Sequence, residues 1–212
     1  MAAVDASAPE SVDALIERAG SAVAWAARRM LGGGYGKRVV VVAGKGNNGA
    51  DGRAAARRLT EQGVRVQIVD ALNAPGVLPR CDLVIDAAYG TGFHGDYVAP
   101  SPNGARVLAI DIPSGVNGDT GIASDGAVCA DCTVTMGSFK PGLLLCDGPD
   151  HAGDVTVEAL GLDVKSALAH IVESADVRGW VPRRPRVAHK WRGAVCVIGG
   201  SPGLYGAAGL AA

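Results

Sequence analysis

A glycine-rich turn that carries several polar side chains lies early in the chain, at Gly44-Lys-Gly-Asn-Asn-Gly-Ala-Asp51. Its three glycines satisfy the spacing G-x-G-x-x-G, which lets a backbone approach a phosphate at the N-terminus of a helix. Asn47, Asn48 and Asp51 add two amides and a carboxylate to the same turn. The turn therefore predicts a site for a polar ligand that carries phosphate.

The same spacing is a dinucleotide-binding fingerprint when an acidic residue ends the second strand about 20 residues later. Asp70 stands at that place. An NAD-binding site of the Rossmann type is one interpretation, and a tight strand-to-helix turn without a ligand is another. Neither interpretation explains why Asn47, Asn48 and Asp51 share one turn.

Two further polar clusters follow predicted strands. Asp86-Ala-Ala-Tyr-Gly-Thr-Gly-Phe-His-Gly-Asp96 comes after the third strand, and Asp111-Ile-Pro-Ser-Gly-Val-Asn-Gly-Asp119 comes after the fourth. Asp86 and Asp111 each end an apolar run, where an unpaired charge is costly to remove from water. Each carboxylate therefore needs a cation, a network of donors or a raised pKa. For either one alone, a structural N-cap is the alternative.

The elements that would position these clusters alternate between helix and strand. Apolar residues at helical spacing from Val12 to Met30 predict a long first helix that ends at Gly32-Gly33-Gly34. Unbroken apolar runs and one amphipathic run predict four strands and a second helix, namely strands 38–43, 64–69, 83–86 and 107–110 and helix 51–62. This alternation predicts an α/β fold of the three-layer αβα, Rossmann-like kind, with a mainly parallel, doubly wound sheet. The three clusters should then meet at the carboxyl edge of the sheet.

The later part of the chain has a different pattern. Strand-like segments at 132–136, 142–145 and 154–157 follow one another without a helix, so we expect an antiparallel extension along one edge. Pro182-Arg-Arg-Pro-Arg186 disfavours both helix and strand. We therefore expect a first domain over 1–173, a linker over 174–188 and a separate segment over 189–212, which should contain a strand, a glycine turn and the start of a helix.

The composition is that of a globular protein. The 212 residues are 48% hydrophobic, and 20 basic side chains stand against 21 acidic ones. The net charge of -1 offers no basic surface for nucleic acid or for an anionic membrane. Residues 1–10 have neither the basic region nor the apolar stretch that is typical of a signal peptide, and no apolar run approaches the roughly 18 residues of a membrane span. The five widely spread cysteines suit reduced thiols, so we expect a cytoplasmic protein.

Four motifs in this order resemble those of the NAD(P)H-hydrate (NAD(P)HX) epimerase family: Val42-Ala-Gly-Lys-Gly-Asn-Asn-Gly-Ala-Asp-Gly52, Asp86-Ala-Ala-Tyr-Gly-Thr-Gly92, Asp111-Ile-Pro-Ser-Gly115 and Phe139-Lys-Pro-Gly142. The resemblance spans residues 12–162. The tail, with His189-Lys190 and Gly199-Gly-Ser-Pro-Gly-Leu-Tyr-Gly206, is similar to the opening of the ADP-dependent, ribokinase-like NAD(P)HX dehydratase domain, which in many bacteria is fused behind the epimerase. The resemblance implies a repair protein that keeps the epimerase half and only the truncated start of the dehydratase half, without dehydratase activity.

The resemblance also implies an isomerase that interconverts the R and S forms of hydrated NADH and NADPH at C6 of the nicotinamide ring. It implies that Asn48, Asp86 and Ser114 bind a potassium ion, which prefers such amide, carboxylate and hydroxyl oxygens. It assigns substrate binding to Asp111 and to two loops, Asn47, Asn48, Gly49, Ala50 and Asp51 in the first and Gly90, Thr91, Gly92, Phe93, His94, Gly95 and Asp96 in the second. A positioned carboxylate suits proton transfer at C6, so Asp111 is the predicted acid/base. Ring opening and the loss and return of water are both open as chemical paths.

One residue departs from the family pattern, which usually reads Asn-Asn-Gly-Gly-Asp. This chain has Ala50, and its methyl group would strain the loop if that position required a positive φ. A strained, truncated chain would act as a non-catalytic nucleotide-binding or interaction module. An NAD-dependent oxidoreductase is the third candidate, because of the literal fingerprint and Asp70.

Three further features leave alternatives open. Lys140 would face the substrate or lie in a solvated turn, and it is left out of the predicted site. Cys129 and Cys132 have C-x-x-C spacing without a second pair, which favours two small residues that face the core. The apolar stripe of the first helix would permit a homodimer or would cover the sheet.

Overall fold

The computed structural model describes residues 10–93, 95–164, 167, 169–181, 183, 185–187 and 196–211. The chain divides into two compact units, Met1–Ser166 and Ala167–Ala212. His94 of the predicted substrate loop and His189-Lys190 of the tail lie outside the described residues.

The first helix, α1, spans Val12–Leu31, as its apolar spacing predicts. It begins after Ser11, whose side chain accepts a hydrogen bond from the Ala14 N–H at 3.3 Å. It ends at Gly32, whose φ of +66° lies in the left-handed region that side chains disfavour. The buried face of α1 is made mostly of small residues, which lets the helix approach its neighbours closely: Ala19, Gly20, Val23, Ala24, Ala27 and Leu31.

Six parallel strands form one sheet in the order β2-β1-β3-β4-β5-β6. The strands are β1 Arg38–Ala43, β2 Arg65–Asp70, β3 Leu83–Ala87, β4 Arg106–Ile110, β5 Cys132–Met136 and β6 Asp154–Glu158. Helix α2, Asn47–Glu61, connects β1 to β2. The chain then returns to the other side of β1, so the strand order reverses between β1 and β3. Open α/β sheets bind ligands at such a reversal, outside the carboxyl ends of the strands.

Two apolar clusters cover the two faces of this sheet. On one face, Val41 and Ile85 belong to the cluster that α1 and α2 complete. On the other face, Val40 packs with Leu78 and Tyr97, which come from the connections between strands. Strands covered on both faces need continuous apolar residues, which is why they stand out in the chain as unbroken runs. The predicted α/β, Rossmann-like fold is confirmed.

Two predictions about the later strands are wrong. β5 and β6 run parallel to their neighbours, and Cys132 pairs with Asp154. Residues 142–145 form no strand, because Pro141–Leu143 is a turn of 3-10 helix in which proline's fixed φ suits the first position. The short helix α3, Gly148–Ala152, follows it and completes the crossover to β6.

The second unit contains helices α4, Ser174–Trp180, and α5, Gly206–Ala211. Helix α4 lies within the segment predicted as a linker. A bridge between Ser201 and Leu204 closes the glycine turn predicted before α5, whereas residues 196–200 form no strand. Across both units, the described part of the chain contains no helix that is long and apolar enough to cross a membrane.

Candidate active site

A cavity of about 570 Å³ opens at the carboxyl edge of the sheet, within the size range of small-molecule sites. Asp70 lines it at the end of β2, Gly44 at the end of β1, Asp111 after β4 and Met136 at the end of β5. Residues 88–93, which follow β3, complete this row. The three polar clusters therefore meet in one cavity, as the parallel sheet predicts.

The predicted site residues occupy three kinds of position. Those in the cavity wall are Asn47, Asn48, Asp51, Gly90, Thr91, Gly92, Phe93 and Asp111. Asp86 and Ser114 are buried beside the wall. Asp86 accepts a hydrogen bond from the Ala88 N–H, and Ser114 accepts one from the Tyr89 N–H. The described residues of the wall do not include Gly49, Ala50, Gly95 or Asp96.

The segment Asn47–Asp51 forms the first turn of α2 rather than a loop. The Ala50 N–H donates to the Gly46 carbonyl oxygen at 3.0 Å, as the first turn of a helix requires. Ala50 is therefore helical, where alanine is the most favourable residue, and it introduces no strain. The turn still offers the unpaired backbone N–H groups of a helix N-terminus, which favour an anion.

Two glycines hold α2 against the sheet. A Cβ atom at Gly49 would collide with the carbonyl oxygen of Gly44, and one at Gly52 would collide with the Cβ of Ala87. The Gly44 carbonyl also accepts a hydrogen bond from Arg53 Nη1 at 2.7 Å. The glycine spacing of this motif therefore serves close helix–strand packing as well as access for a ligand.

A buried lysine contacts the predicted acid/base. Lys140 is only 4% exposed, and its Nζ donates to Asp111 Oδ1, to Thr135 Oγ1 at 2.9 Å and to the Met136 carbonyl oxygen at 2.6 Å. A charged ammonium group this deeply buried requires such a set of acceptors. Sequence reasoning left Lys140 out of the site. A lysine beside a Pro-Gly turn gives no signal that separates a buried position from a solvated one.

The two oxygens of Asp111 have different surroundings. Oδ1 accepts from Lys140 Nζ and, at 3.2 Å, from the Met136 N–H. Oδ2 has no hydrogen-bond partner in the described chain, and it lies 3.8 Å from the place that a Cβ at Gly90 would occupy in the cavity wall. Asp111 has a φ of +68°, a conformation that costs energy and is found at functional sites. One oxygen is thus anchored while the other faces the cavity.

Beneath the cavity, polar side chains converge on Tyr89. Asn48 Nδ2 donates to the Tyr89 carbonyl oxygen at 2.7 Å, and the Tyr89 N–H donates to Ser114 Oγ at 2.9 Å. Ser114 Oγ donates to Asp86 Oδ1 at 2.7 Å, and the Ser114 N–H donates to Asp86 Oδ2 at 2.8 Å. Asn48, Asp86 and Ser114 therefore belong to one buried network.

Two observations in this network fit a cation. Asn48 Oδ1 is buried and lacks a hydrogen-bond partner in the part of the chain that the structure describes, which leaves a desolvated acceptor. Asp86 is only 2% exposed, and this burial raises the pKa of its carboxyl to about 6 against the opposing hydrogen bonds from Ser114 and Ala88. A hard cation with oxygen ligands would satisfy the amide oxygen and favour the ionised carboxylate.

Aromatic and apolar residues form the rest of the wall. The rings of Tyr89 and Phe93 lie 4.1 Å apart at 32°, and both line the cavity. Val12 and Leu15 of α1 and Leu160 after β6 also line it. The cavity can therefore hold a molecule with both phosphate and planar rings. No feature of the sequence pattern indicated that the start of α1 contributes to the wall.

Three comparisons bear on these features. The family model described as "YjeF-related protein N-terminus" matches residues 12–76 and 67–142. The chain is 34% identical over 165 residues to an "NAD(P)H-hydrate epimerase" of Levilactobacillus brevis, a match that covers 63% of this chain and 77% of that protein.

Longer relatives match as well. A "Bifunctional NAD(P)H-hydrate repair enzyme" of Coxiella burnetii is 34% identical over 214 residues, which cover 82% of this chain and 44% of the relative. A protein of the same name from Hyperthermus butylicus is 37% identical over 239 residues, which cover 93% of this chain and 43% of the relative. The chain thus spans less than half the length of these bifunctional relatives.

The fold has a solved counterpart. A yeast protein structure superposes with a TM-score of 0.51 at 23% identity, over 70% of this chain and 79% of that one. At this identity the likeness supports the Rossmann-like fold alone.

Proposed function

The chain belongs to the NAD(P)H-hydrate epimerase family, and from that membership we propose that it interconverts the R and S forms of hydrated NADH and NADPH at C6 of the nicotinamide ring. The observation that carries the proposal is the difference in surroundings between the two carboxylate oxygens of Asp111. Its Oδ1 is anchored by a buried lysine, and its Oδ2 faces a cavity large enough for part of a dinucleotide.

The cavity supports one orientation of the substrate. The pyrophosphate binds at the N-terminus of α2, which offers the unpaired backbone N–H groups of a first helical turn. Asn47 and Asp51 line the wall of the cavity there. The hydrated nicotinamide then reaches Asp111, two strands beyond β1. The segment Gly90–Phe93 covers the bound molecule, and Tyr89 and Phe93 contact a planar ring.

Asp111 performs the proton transfer. In ring opening, Asp111 takes the proton of the C6 hydroxyl as the bond from C6 to the ring nitrogen breaks. The nitrogen takes the electron pair of that bond and a proton, and closure on the other face of the resulting aldehyde reverses both transfers. In the loss and return of water, the leaving oxygen gains a proton and the returning water gives one up. Both paths need a group that accepts and donates a proton beside C6, which a single carboxylate does.

Lys140 positions that carboxylate. Three acceptors surround its Nζ, so the ammonium group cannot turn away to solvent. Its Nζ holds Oδ1 from one direction, and the Met136 N–H fixes Oδ1 from a second direction. Oδ2 is left to meet the substrate in one orientation.

Potassium is the proposed cofactor, and Asn48, Asp86 and Ser114 are its proposed ligands. The unpartnered Asn48 Oδ1 and the buried Asp86 carboxylate support this assignment. When bound there, the ion supplies positive charge close to the proposed pyrophosphate.

The remaining parts of the proposal concern the whole chain. The unit Met1–Ser166 carries the epimerase site. The tail corresponds to the start of a dehydratase domain. The chain works in the cytoplasm, where its five free thiols remain reduced.

The direct test is a conversion experiment with the purified chain in potassium buffer. The R form of hydrated NADH is supplied in one reaction and the S form in another, and both epimers are separated chromatographically over time. The proposal expects both reactions to approach the same ratio faster than the spontaneous baseline. Rates equal to that baseline would reject an epimerase and favour a non-catalytic nucleotide-binding module.

A further inference from the structure

We propose that Asp70 selects substrates that lack a 2′-phosphate on the adenosine ribose, so that hydrated NADH is preferred over hydrated NADPH. The inference takes its two substrates from the proposed function. The geometry of the cavity supplies the argument. Asp70 ends β2 and lies in the wall of the cavity that Asp111 also lines.

The sheet places Asp70 and Asp111 at the two ends of one binding groove. Asp70 is paired with Ala43 of β1, and Ala43 is paired with Ala87 of β3. Asp86 is paired with Ala109 of β4, so these strands end at one level. β2 and β4 are three strand spacings apart, which is about 14 Å. An extended dinucleotide with its nicotinamide at Asp111 therefore brings its adenosine half to the end of β2.

The direction of the dinucleotide follows from α2. Its N-terminus lies after β1, between the two acidic residues in the strand order, and holds the pyrophosphate in the proposed function. Once the nicotinamide occupies the β4 side, the adenosine ribose has only the β2 side left. Leu72, which also lines the cavity there, offers an apolar contact to the base.

The side chain of Asp70 is oriented for this role. Its Oδ1 accepts a hydrogen bond from the Leu72 N–H at 2.8 Å, which caps the 3-10 turn Ala71–Asn73. In the described parts of the chain, Oδ2 has no hydrogen-bond partner and the carboxylate forms no ion pair. A fixed carboxylate with a remaining acceptor binds a ribose hydroxyl, and it repels a phosphate at the same place.

Lys45 is the basic residue among the described residues of this wall, and its charge could also affect the choice. It follows Gly44 directly and is exposed just before the N-terminus of α2, beside the proposed pyrophosphate. Both substrates carry the same pyrophosphate. The charge of Lys45 therefore acts on both substrates alike, and Asp70 decides between them.

The experiment compares the full chain with Asp70→Asn and Lys45→Met. The asparagine keeps an oxygen for the Leu72 N–H, so the turn after β2 is retained while the charge is removed. Epimerisation of hydrated NADH and of hydrated NADPH is measured for each protein. Binding of ADP-ribose and of 2′-phospho-ADP-ribose is measured by calorimetry, because this readout does not require catalysis.

For the unmodified chain we expect kcat/KM to favour hydrated NADH by on the order of tenfold or more. Asp70→Asn should raise KM for hydrated NADH and lower it for hydrated NADPH, and these opposite changes cannot come from a damaged fold. Lys45→Met should weaken the binding of both substrates by a similar factor.

Three results would overturn the inference: equal use of both substrates by the unmodified chain, an unchanged ratio in Asp70→Asn, or a selective loss of hydrated NADPH in Lys45→Met. If the chain epimerises neither substrate, the proposed function fails. Tighter binding of ADP-ribose than of its 2′-phosphate, reversed or abolished in Asp70→Asn, would then still support the role of Asp70, and equal binding would reject it.

Discussion

Lys140 and Asp111 form a buried ion pair that joins the turn after β5 to the end of β4. The lysine side chain is 4% exposed and the aspartate side chain 16%, so the pair is largely removed from water. Breaking such a pair leaves an uncompensated charge, which is costly in a buried site. The pair therefore fixes the direction of the carboxylate that faces the cavity.

Replacement of this lysine should reduce turnover more than substrate binding. In Lys140→Met the carboxylate keeps the Met136 N–H but loses the ammonium group that anchors Oδ1. We expect kcat to fall by on the order of a hundredfold, with little change in KM, because Oδ2 is no longer held in one orientation toward the cavity. Steady-state kinetics measure both constants.

Lys37→Met is the matched control, because Lys37 precedes β1 at the opposite end of the sheet. Its kinetics should equal those of the unmodified chain. An unaltered kcat in Lys140→Met would show that the lysine does not act through Asp111.

Potassium should stabilise the fold through Asn48. At a concentration about tenfold above its dissociation constant, a bound ion adds about 1.4 kcal/mol, which raises Tm by about 3–6 °C in a domain of this size. Thermal unfolding in potassium chloride and in lithium chloride at equal ionic strength measures the difference. Asn48→Ala should abolish the increment, and Asn73→Ala, at an exposed position, should retain it. Equal Tm values in the two salts would contradict a potassium site.

The pH dependence of stability should reveal Asp86 when potassium is absent. Burial raises the pKa of Asp86 from 3.8 to about 6 in the folded chain, so the folded state keeps its proton to higher pH than the unfolded state does. This contribution to stability is fully present below pH 3.8, and it is lost as the pH rises through 6.

The reference for this effect is Asp86→Asn, which cannot titrate. From about pH 4 to about pH 7, the unfolding free energy of the unmodified chain should fall relative to Asp86→Asn by on the order of 3 kcal/mol. Urea denaturation in buffers of large organic cations measures both proteins. Parallel stability curves would mean that Asp86 is not held in a desolvated position.

The packing of α2 on the sheet should depend on Gly52. In Gly52→Ala the new methyl group would collide with the Cβ of Ala87 and lie 3.2 Å from Val41 Cγ1. We expect a loss of about 1–3 kcal/mol in unfolding free energy by urea denaturation. Gly76→Ala is the control, because its new methyl group would have no other atom within 4 Å, and it should be neutral or slightly stabilising.

The sequence was most informative where both faces of a strand are covered. The run of residues 38–43 predicts β1 with its observed bounds, since only continuous apolar residues suit a strand buried on both sides. The antiparallel prediction failed because the crossover between β5 and β6 uses a 3-10 turn and the five-residue helix α3, which are too short for a helical periodicity.

The site was predictable where one motif carries it and less so where distant segments meet. Asn47 and Asn48 were predicted in a glycine-rich turn before a helix that begins at residue 51, but they occupy the first turn of that helix, where polar side chains are tolerated. Lys140 was missed because its partner Asp111 is 29 residues away in the chain. Only the fold brings that pair together.

The role of Asp111 in proton transfer is the central claim, and the proposed roles of Lys140 and of the cavity depend on it. The most direct measurement is the first-order rate of conversion of the R to the S form of hydrated NADH by the unmodified chain and by Asp111→Asn, with calorimetric binding of ADP-ribose to both. We predict that the substitution lowers the rate above baseline by at least about a hundredfold while ADP-ribose still binds. Conversion by Asp111→Asn at the rate of the unmodified chain would contradict this claim.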